Sequence, residues 1–228
     1  MYKVIDFYEP LNRSDAERYE RGQFWWACFP YAFTKAQVTR FWPNRPTETL
    51  DVRRFDPRKE QPDDVAHTSA DEFLAITQFK RRPVVILSTA GSLYHDRAWR
   101  GGDFFLVAPV RSLRDTLTGE YKANPNFVWG AITYRFSSVF YLPRDATFDI
   151  REGVLHFDRM TTLHRTWLLE PRKAHLSSDA MVCLDEWLRN YLYNEVRARF
   201  NDDLETYRQM VGSDPQVRTG LFGRSRVV

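Results

Sequence analysis

The sequence predicts a mainly β fold with helices. Three observations carry that reading. Arg82-Pro83-Val84-Val85-Ile86-Leu87-Ser88 and Phe104-Phe105-Leu106-Val107-Ala108-Pro109-Val110 are continuous β-branched and aromatic runs, the pattern of strands buried on both faces. Between them lies a polar stretch punctuated by Gly91, Gly101 and Gly102, which reads as a loop. Finally, Ser177 or Ser178 caps a segment in which Met181, Leu184, Leu188, Tyr191, Leu192 and Val196 recur at helical spacing.

The other elements follow in chain order. Ser14-Asp15-Ala16-Glu17 has the spacing of a capping box, with Gly22 soon after, and predicts a short helix. Gln23-Phe24-Trp25-Trp26-Ala27-Cys28-Phe29 is a short aromatic strand ended by Pro30. From Tyr31 to Lys80, Pro43, Pro46, Pro57 and Pro62 argue against long regular elements. Within that stretch Ser69-Ala70-Asp71-Glu72 is a second capping box. Phe73, Leu74, Ile76 and Phe79 follow it, predicting a short helix with one apolar side. Phe127 to Phe136 and Ser138 to Leu142 read as two strands joined around Arg135 to Ser137. After Gly153, Val154 to Leu169 is strand material interrupted by Asp158. The C-terminal helix is allowed to run on to Met210, before Gly212. The tail from Ser213, with Arg218, Arg224 and Arg226 and no apolar period, is expected to be loose.

Composition narrows the function classes. A net charge of +3 and a pI near 8.9 permit a nucleic-acid partner without demanding one. Cys28 and Cys183 stand far apart in apolar surroundings and read as reduced and buried. The sequence has no Cys-x-x-Cys or His-x-x-x-His pair, so neither a dedicated zinc site nor any other cofactor is expected. Lys3, Asp6 and Glu9 interrupt the first ten residues, unlike a signal peptide. The longest aliphatic run, Val84 to Leu87, is too short to cross a bilayer, so the expectation is a cytoplasmic protein with no membrane partner.

Four segments, in order, resemble the MazF/PemK family. Gly22-Gln23-Phe24-Trp25-Trp26 is similar to its opening Gly-Asp-hydrophobic-Trp strand. Arg82 to Ser88 resembles its Arg-Pro-x-Val-Val-Leu-Ser signature, and Ala108-Pro109-Val110-Arg111-Ser112 its Pro-Ile-Thr-Ser strand ending. Gly153-Val154 with Asp158-Arg159-Met160-Thr161-Thr162-Leu163 resembles its Gly-Val and Asp-Gln-Ile-Arg-Thr-Leu stretch, and the capped helix follows. About half the chain is covered. The resemblance implies an SH3-like small β-barrel with a C-terminal helix, spanning residues 1–212 as one domain with insertions at 31–80 (partly helical) and 113–126. Residues 213–228 would form a flexible tail. It also implies a homodimer that cuts single-stranded RNA, with an acidic antitoxin protein as a further partner.

Metal-independent RNA cleavage uses the 2′-hydroxyl as nucleophile. The protein must take that proton, stabilise charge on phosphorus and protonate the leaving oxygen. Arg82 occupies the family's functional arginine position, and its planar fork suits phosphate oxygens. The family's hydroxyl position holds Arg111 here, with Ser112 beside it. Adjacent strand residues point to opposite faces, so Ser112 substitutes only if the strand bulges; otherwise Arg111 adds a phosphate contact or the chemistry is altered. His95, in the loop between the signature strands, is the candidate proton acceptor. His156 and His164, flanking Asp158, read as packing or rim residues. Tyr94 and Trp99, beside Arg97 and Arg100, are the candidate RNA-stacking cluster.

Pro57 to Glu72 carries Glu60, Asp63, Asp64, Asp71 and Glu72 against Arg58 and Lys59, so the insertion either covers the RNA groove, imitating RNA charge or an antitoxin, or is an ornament that widens the fold or builds an interface. Two alternatives stand beside the endoribonuclease. One is a catalytically inactive module that binds RNA or a protein. The other acts on a protein target, as the barrel's gyrase-poisoning relatives do.

Overall fold

Alternating aromatic and aliphatic residues set the strands, and the strands set the core. The computed structural model describes residues 6–11, 19–30, 37–40, 51–54, 75–76, 79–88, 104–214 and 221. The chain divides into two compact units, Met1–Ala27 with Arg82–Val228, and Cys28–Arg81.

The first unit is built on an eight-stranded antiparallel sheet. Its strands are β1 (Tyr8–Pro10), β2 (Gln23–Pro30), β6 (Phe79–Ile86), β7 (Phe104–Ser112), β8 (Val139–Leu142), β9 (Gly153–His156), β10 (Thr161–His164) and β11 (Leu168–Leu176). The last three residues of β2 and the first three of β6 fall in the second unit. The order is β1-β11-β2-β6-β7-β9-β8, with β10 also paired to β7. β7 is the centre. It holds β6 on one edge (Val84 opposite Pro109), and on the other it holds β9 near its C-terminal end and β10 near its start. A 3₁₀ turn at Phe157–Arg159 bends the chain between β9 and β10, where Asp158 interrupts the apolar run.

Both faces of the central strands are covered, as continuous apolar runs require. Phe24, Val85, Leu87, Ala108, Val110 and Leu155 join the main core with residues of the helices, among them Leu184, Trp187, Leu204 and Tyr207. Trp25, Ala27, Val84, Ile86, Phe105, Val107 and Leu163 are buried outside that cluster. Each buried Val, Leu, Ile or Phe side chain stabilises the fold by about 1.5–3 kcal/mol relative to exposure.

The sheet is not the closed barrel that the resemblance implies. β1 and β8 end the strand order, and no backbone ladder joins them. Side chains bridge the gap instead: the Tyr8 hydroxyl donates to the Pro143 carbonyl at 2.7 Å, and the Phe7 and Phe140 rings lie 5.9 Å apart. With three residues, β1 is too short to extend a ladder across that seam.

Three α-helices complete the unit: α1 (Pro125–Ile132), α2 (Ser178–Tyr193) and α3 (Ala198–Gly212). The expected strand from Phe127 is α1. Asn124 caps it by accepting from Asn126 N, Pro125 starts it, and Val128, Ala131 and Ile132 bury the i, i+3, i+4 face. The Asn-Pro start outweighs the β-forming aromatics. α2 begins as expected, with Ser177 Oγ accepting from Ala180 N at 3.2 Å. It does not run to Met210: Asn194 takes a left-handed conformation (φ 54°) and stops it, and α3 is a separate helix. The buried face of α2 holds Ala180, Cys183, Leu184 and Trp187, whereas Leu192 is exposed. β11 continues well past Leu169 despite Pro171, which its edge-like register shifts tolerate. Leu221, in the tail expected to be loose, is buried.

In the second unit β3 (Gln37–Arg40), β4 (Asp51–Arg54) and β5 (Ala75–Ile76) form a three-stranded sheet in the order β4-β3-β5. The helix expected after Asp71 is absent at Ala75–Ile76 and at Phe79, which are strand. β5 pairs with β3, and that backbone pairing overrides the local helical signal. The expected helix at Ser14–Glu17 and the acidic run 57–72 lie outside the described residues. Among the described residues no helix is long and apolar enough to cross a membrane.

Candidate functional site

The C-terminal end of β7 and the N-terminal part of β6 meet at one end of the sheet. Arg111 is exposed there, and Arg82 is half-buried. The β6–β7 register pairs Val84, Val85 and Ile86 with Pro109, Ala108 and Val107. Carried two residues further, it sets Arg82 level with Arg111. Directly opposed residues of an antiparallel pair share a face, so in that extended register Arg82 and Arg111 fall on the same side.

β9 adds a third group to that face. Arg111 is paired with Val154, and His156 lies two residues beyond, so His156 is on the Arg111 side. Its imidazole is 9% exposed. Nδ1 sits 3.1 Å from Asp158 Oδ1, held by the 3₁₀ turn that brings Asp158 back under the ring. A carboxylate only accepts, so Nδ1 carries the proton and Nε2 the lone pair. Nε2 is closed to solvent and has no hydrogen-bond partner among the described residues. Burial pushes the imidazole below its ordinary range. Asp158 opposes that shift, while the charges of Arg159 and Arg111 reinforce it. The ring is therefore neutral near pH 7, with its basic nitrogen free of a proton.

Ser112 does not stand in for Arg111. The β7–β9 pairing runs without a bulge through Val110, Arg111 and Ser112. The Ser112 side chain thus lies on the opposite face, where Oγ donates to the Arg114 carbonyl at 2.8 Å and accepts from Arg114 N at 3.3 Å. It staples the turn after β7 and lines a separate cleft. The close approach of β9 to β7 at this point needs a glycine: a Cβ on Gly153 would stand 2.8 Å from the Arg111 carbonyl oxygen.

Of the residues singled out from sequence, Arg82 and Arg111 lie on the paired strands β6 and β7, and Ser112 lies on the face of β7 opposite Arg111. His95, Tyr94, Arg97, Trp99 and Arg100 lie outside the described residues. His164 is a local element: its Nδ1 meets Thr166 Oγ1 at 2.8 Å and caps the turn Arg165–Trp167. His156 was not singled out as functional, because parity along a regular strand said nothing of the turn that folds Asp158 onto it. His-x-Asp after a buried strand was the available signal. No cluster of His, Cys, Asp or Glu among the described residues has the arrangement of a metal site.

The arrangement provides an exposed cation, Arg111, and a neutral imidazole oriented by a carboxylate on the same face. These are the parts needed to bind a phosphodiester and to accept a proton beside it. Compared with known proteins, the chain matches no family model and is significantly similar to no curated sequence.

Proposed function

We propose that this protein is a metal-independent endoribonuclease acting on single-stranded RNA, of the toxin type that the MazF/PemK resemblance implies. The observation that carries the reading is the face where the exposed Arg111 stands beside the His156–Asp158 pair. In this mechanism Arg82 and Arg111 grip the non-bridging oxygens of the scissile phosphate and offset the charge that grows on them. His156 Nε2 accepts the 2′-hydroxyl proton, Asp158 steadies the imidazolium that forms, and as the P–O5′ bond breaks a solvent water gives its proton to the leaving 5′-oxygen. The products carry a 2′,3′-cyclic phosphate and a 5′-hydroxyl. An antitoxin peptide competing for the same face and a second copy of the chain belong to this reading, as does a cytoplasmic setting.

A second reading, RNA binding without cleavage, is favoured by two details. His156 Nε2 is shut from solvent, and the nearby Ser112 hydroxyl is engaged in a turn. One experiment separates the two. The purified protein is incubated with mixed-sequence RNA in EDTA, and the new ends are analysed beside an Arg111→Ala control. Cyclic-phosphate ends that fall by about 10²-fold or more in the variant support the nuclease. Retention of RNA without new ends supports the binding module, and neither cleavage nor binding sinks both.

A further inference from the structure

A second polar site lies on the opposite face of β7 from Arg111. Two turns, one following β7 and one joining β8 to β9, enclose a cleft of about 340 Å³. Its size is at the lower end of small-molecule sites. Ser112, Arg114, Asp115, Arg144, Asp145 and Arg151 are among its walls, with Asp149 and Glu152.

Four carboxylates would seem to repel an anion, but each is already satisfied within the protein. Glu152 accepts from Arg114 Nε (2.5 Å), Tyr141 Oη (2.7 Å) and Tyr121 Oη (3.0 Å). Asp145 Oδ1 accepts from the backbone amides of Thr147 and Phe148. Asp115 does the same with Leu117 and Thr118, and Lys122 stands 3.9 Å away. Asp149 is paired with Arg172, which also bonds its carbonyl. Arg114 is likewise committed, to Glu152, Gly119 O and Tyr121 Oη.

Two cations remain. Arg151 meets only the Thr116 hydroxyl, at 2.8 Å, and Arg144 has no partner among the described residues. Three arginines and four carboxylates line the cleft, and two of the acids are paired with cations outside it, Asp115 with Lys122 and Asp149 with Arg172. Both remaining guanidiniums are exposed, so an incoming anion displaces no internal ion pair.

The geometry points to this cleft as a binding site for a phosphate monoester no larger than a nucleotide. Arg144 and Arg151 clasp the phosphate, and the remaining volume takes the hydroxyl-bearing body. Asp145, Ser112 and Thr116, among the lining residues, supply polar contacts to that body. A bare phosphate leaves most of the cleft unfilled. The site does not depend on RNA cleavage, because Arg111 and His156 are on the other face.

Isothermal titration with adenosine 5′-monophosphate, ribose 5-phosphate and adenosine tests it on the full chain. The proposal expects both phosphorylated compounds to bind and adenosine to bind at least tenfold more weakly. Tighter binding of the nucleotide names a nucleotide ligand, and equal binding names a sugar phosphate. Arg144→Ala and Arg151→Ala should each weaken binding about tenfold or more, and the pair should abolish it, with unchanged circular dichroism. Failure of the wild-type protein to bind either phosphorylated compound at millimolar concentration overturns the proposal. So does equal affinity for adenosine, or indifference to both substitutions.

Discussion

His156 is the residue whose environment departs furthest from what its type would suggest. Folding holds it neutral, below its ordinary pKa of 6.5, mainly through burial, with Arg159 and Arg111 adding to the effect and Asp158 opposing it. The unfolded chain therefore takes up the proton first as pH falls. The stability associated with the neutral ring is present above about pH 6.5 and is lost as pH drops below it. Melting temperatures measured between pH 7.5 and 5.5 should fall for the wild-type protein and fall less for His156→Gln. A parallel decline in both would mean that other groups govern the acid limb. Glu152 is the second decisive residue. Its carboxylate is almost wholly buried and gathers Arg114, Tyr121 and Tyr141 at the base of the two turns. Glu152→Ala removes the acceptor shared by Arg114, Tyr121 Oη and Tyr141 Oη, so the cost should be about 2 kcal/mol in urea denaturation, and Tyr141→Phe about 1 kcal/mol. No loss in either variant would show that the network is dispensable.

At the level of elements, what was legible in the sequence depended on how local the determinants were. The strands at Gln23–Pro30, Phe79–Ile86, Phe104–Ser112 and Val139–Leu142 announce themselves through β-branched and aromatic runs, and Ser177 announces α2. The misread elements each had a competing determinant. Asn124-Pro125 starts a helix inside an aromatic run, Asn194 ends one inside an apolar pattern, and β5 is held by pairing with β3 rather than by its own residues. The candidate site followed the same rule. Arg82 and Arg111 could be placed from the strands that carry them, whereas His156 gains its partner only through the 3₁₀ turn at Phe157–Arg159. Gly153 links the elements to the site. Gly153→Ala would drive a methyl group against the Arg111 carbonyl, part of a backbone that cannot swing aside. It should destabilise the protein by about 1–3 kcal/mol, read by thermal or urea unfolding, and loosen the β7–β9 edge that presents Arg111. Unchanged stability would mean that the two strands separate without cost.

For the whole molecule, the antiparallel sheet lets one strand carry two proposed sites. Successive residues of β7 alternate between faces, so Arg111 serves one surface and Ser112 the other. The overall charge of +3 is too small to specify a nucleic-acid partner by itself, so recognition has to come from where cations are placed. That placement is the central claim: Arg82 and Arg111 contact RNA phosphates. Each phosphate neutralised on a single strand adds about 0.7 to the slope of log affinity against log salt concentration. The most direct test is to measure that slope for an uncleavable 2′-O-methyl RNA with the wild-type protein and with Arg82→Ala/Arg111→Ala. The account predicts a slope shallower by about 1.4 in the double variant, and an unchanged slope would contradict it.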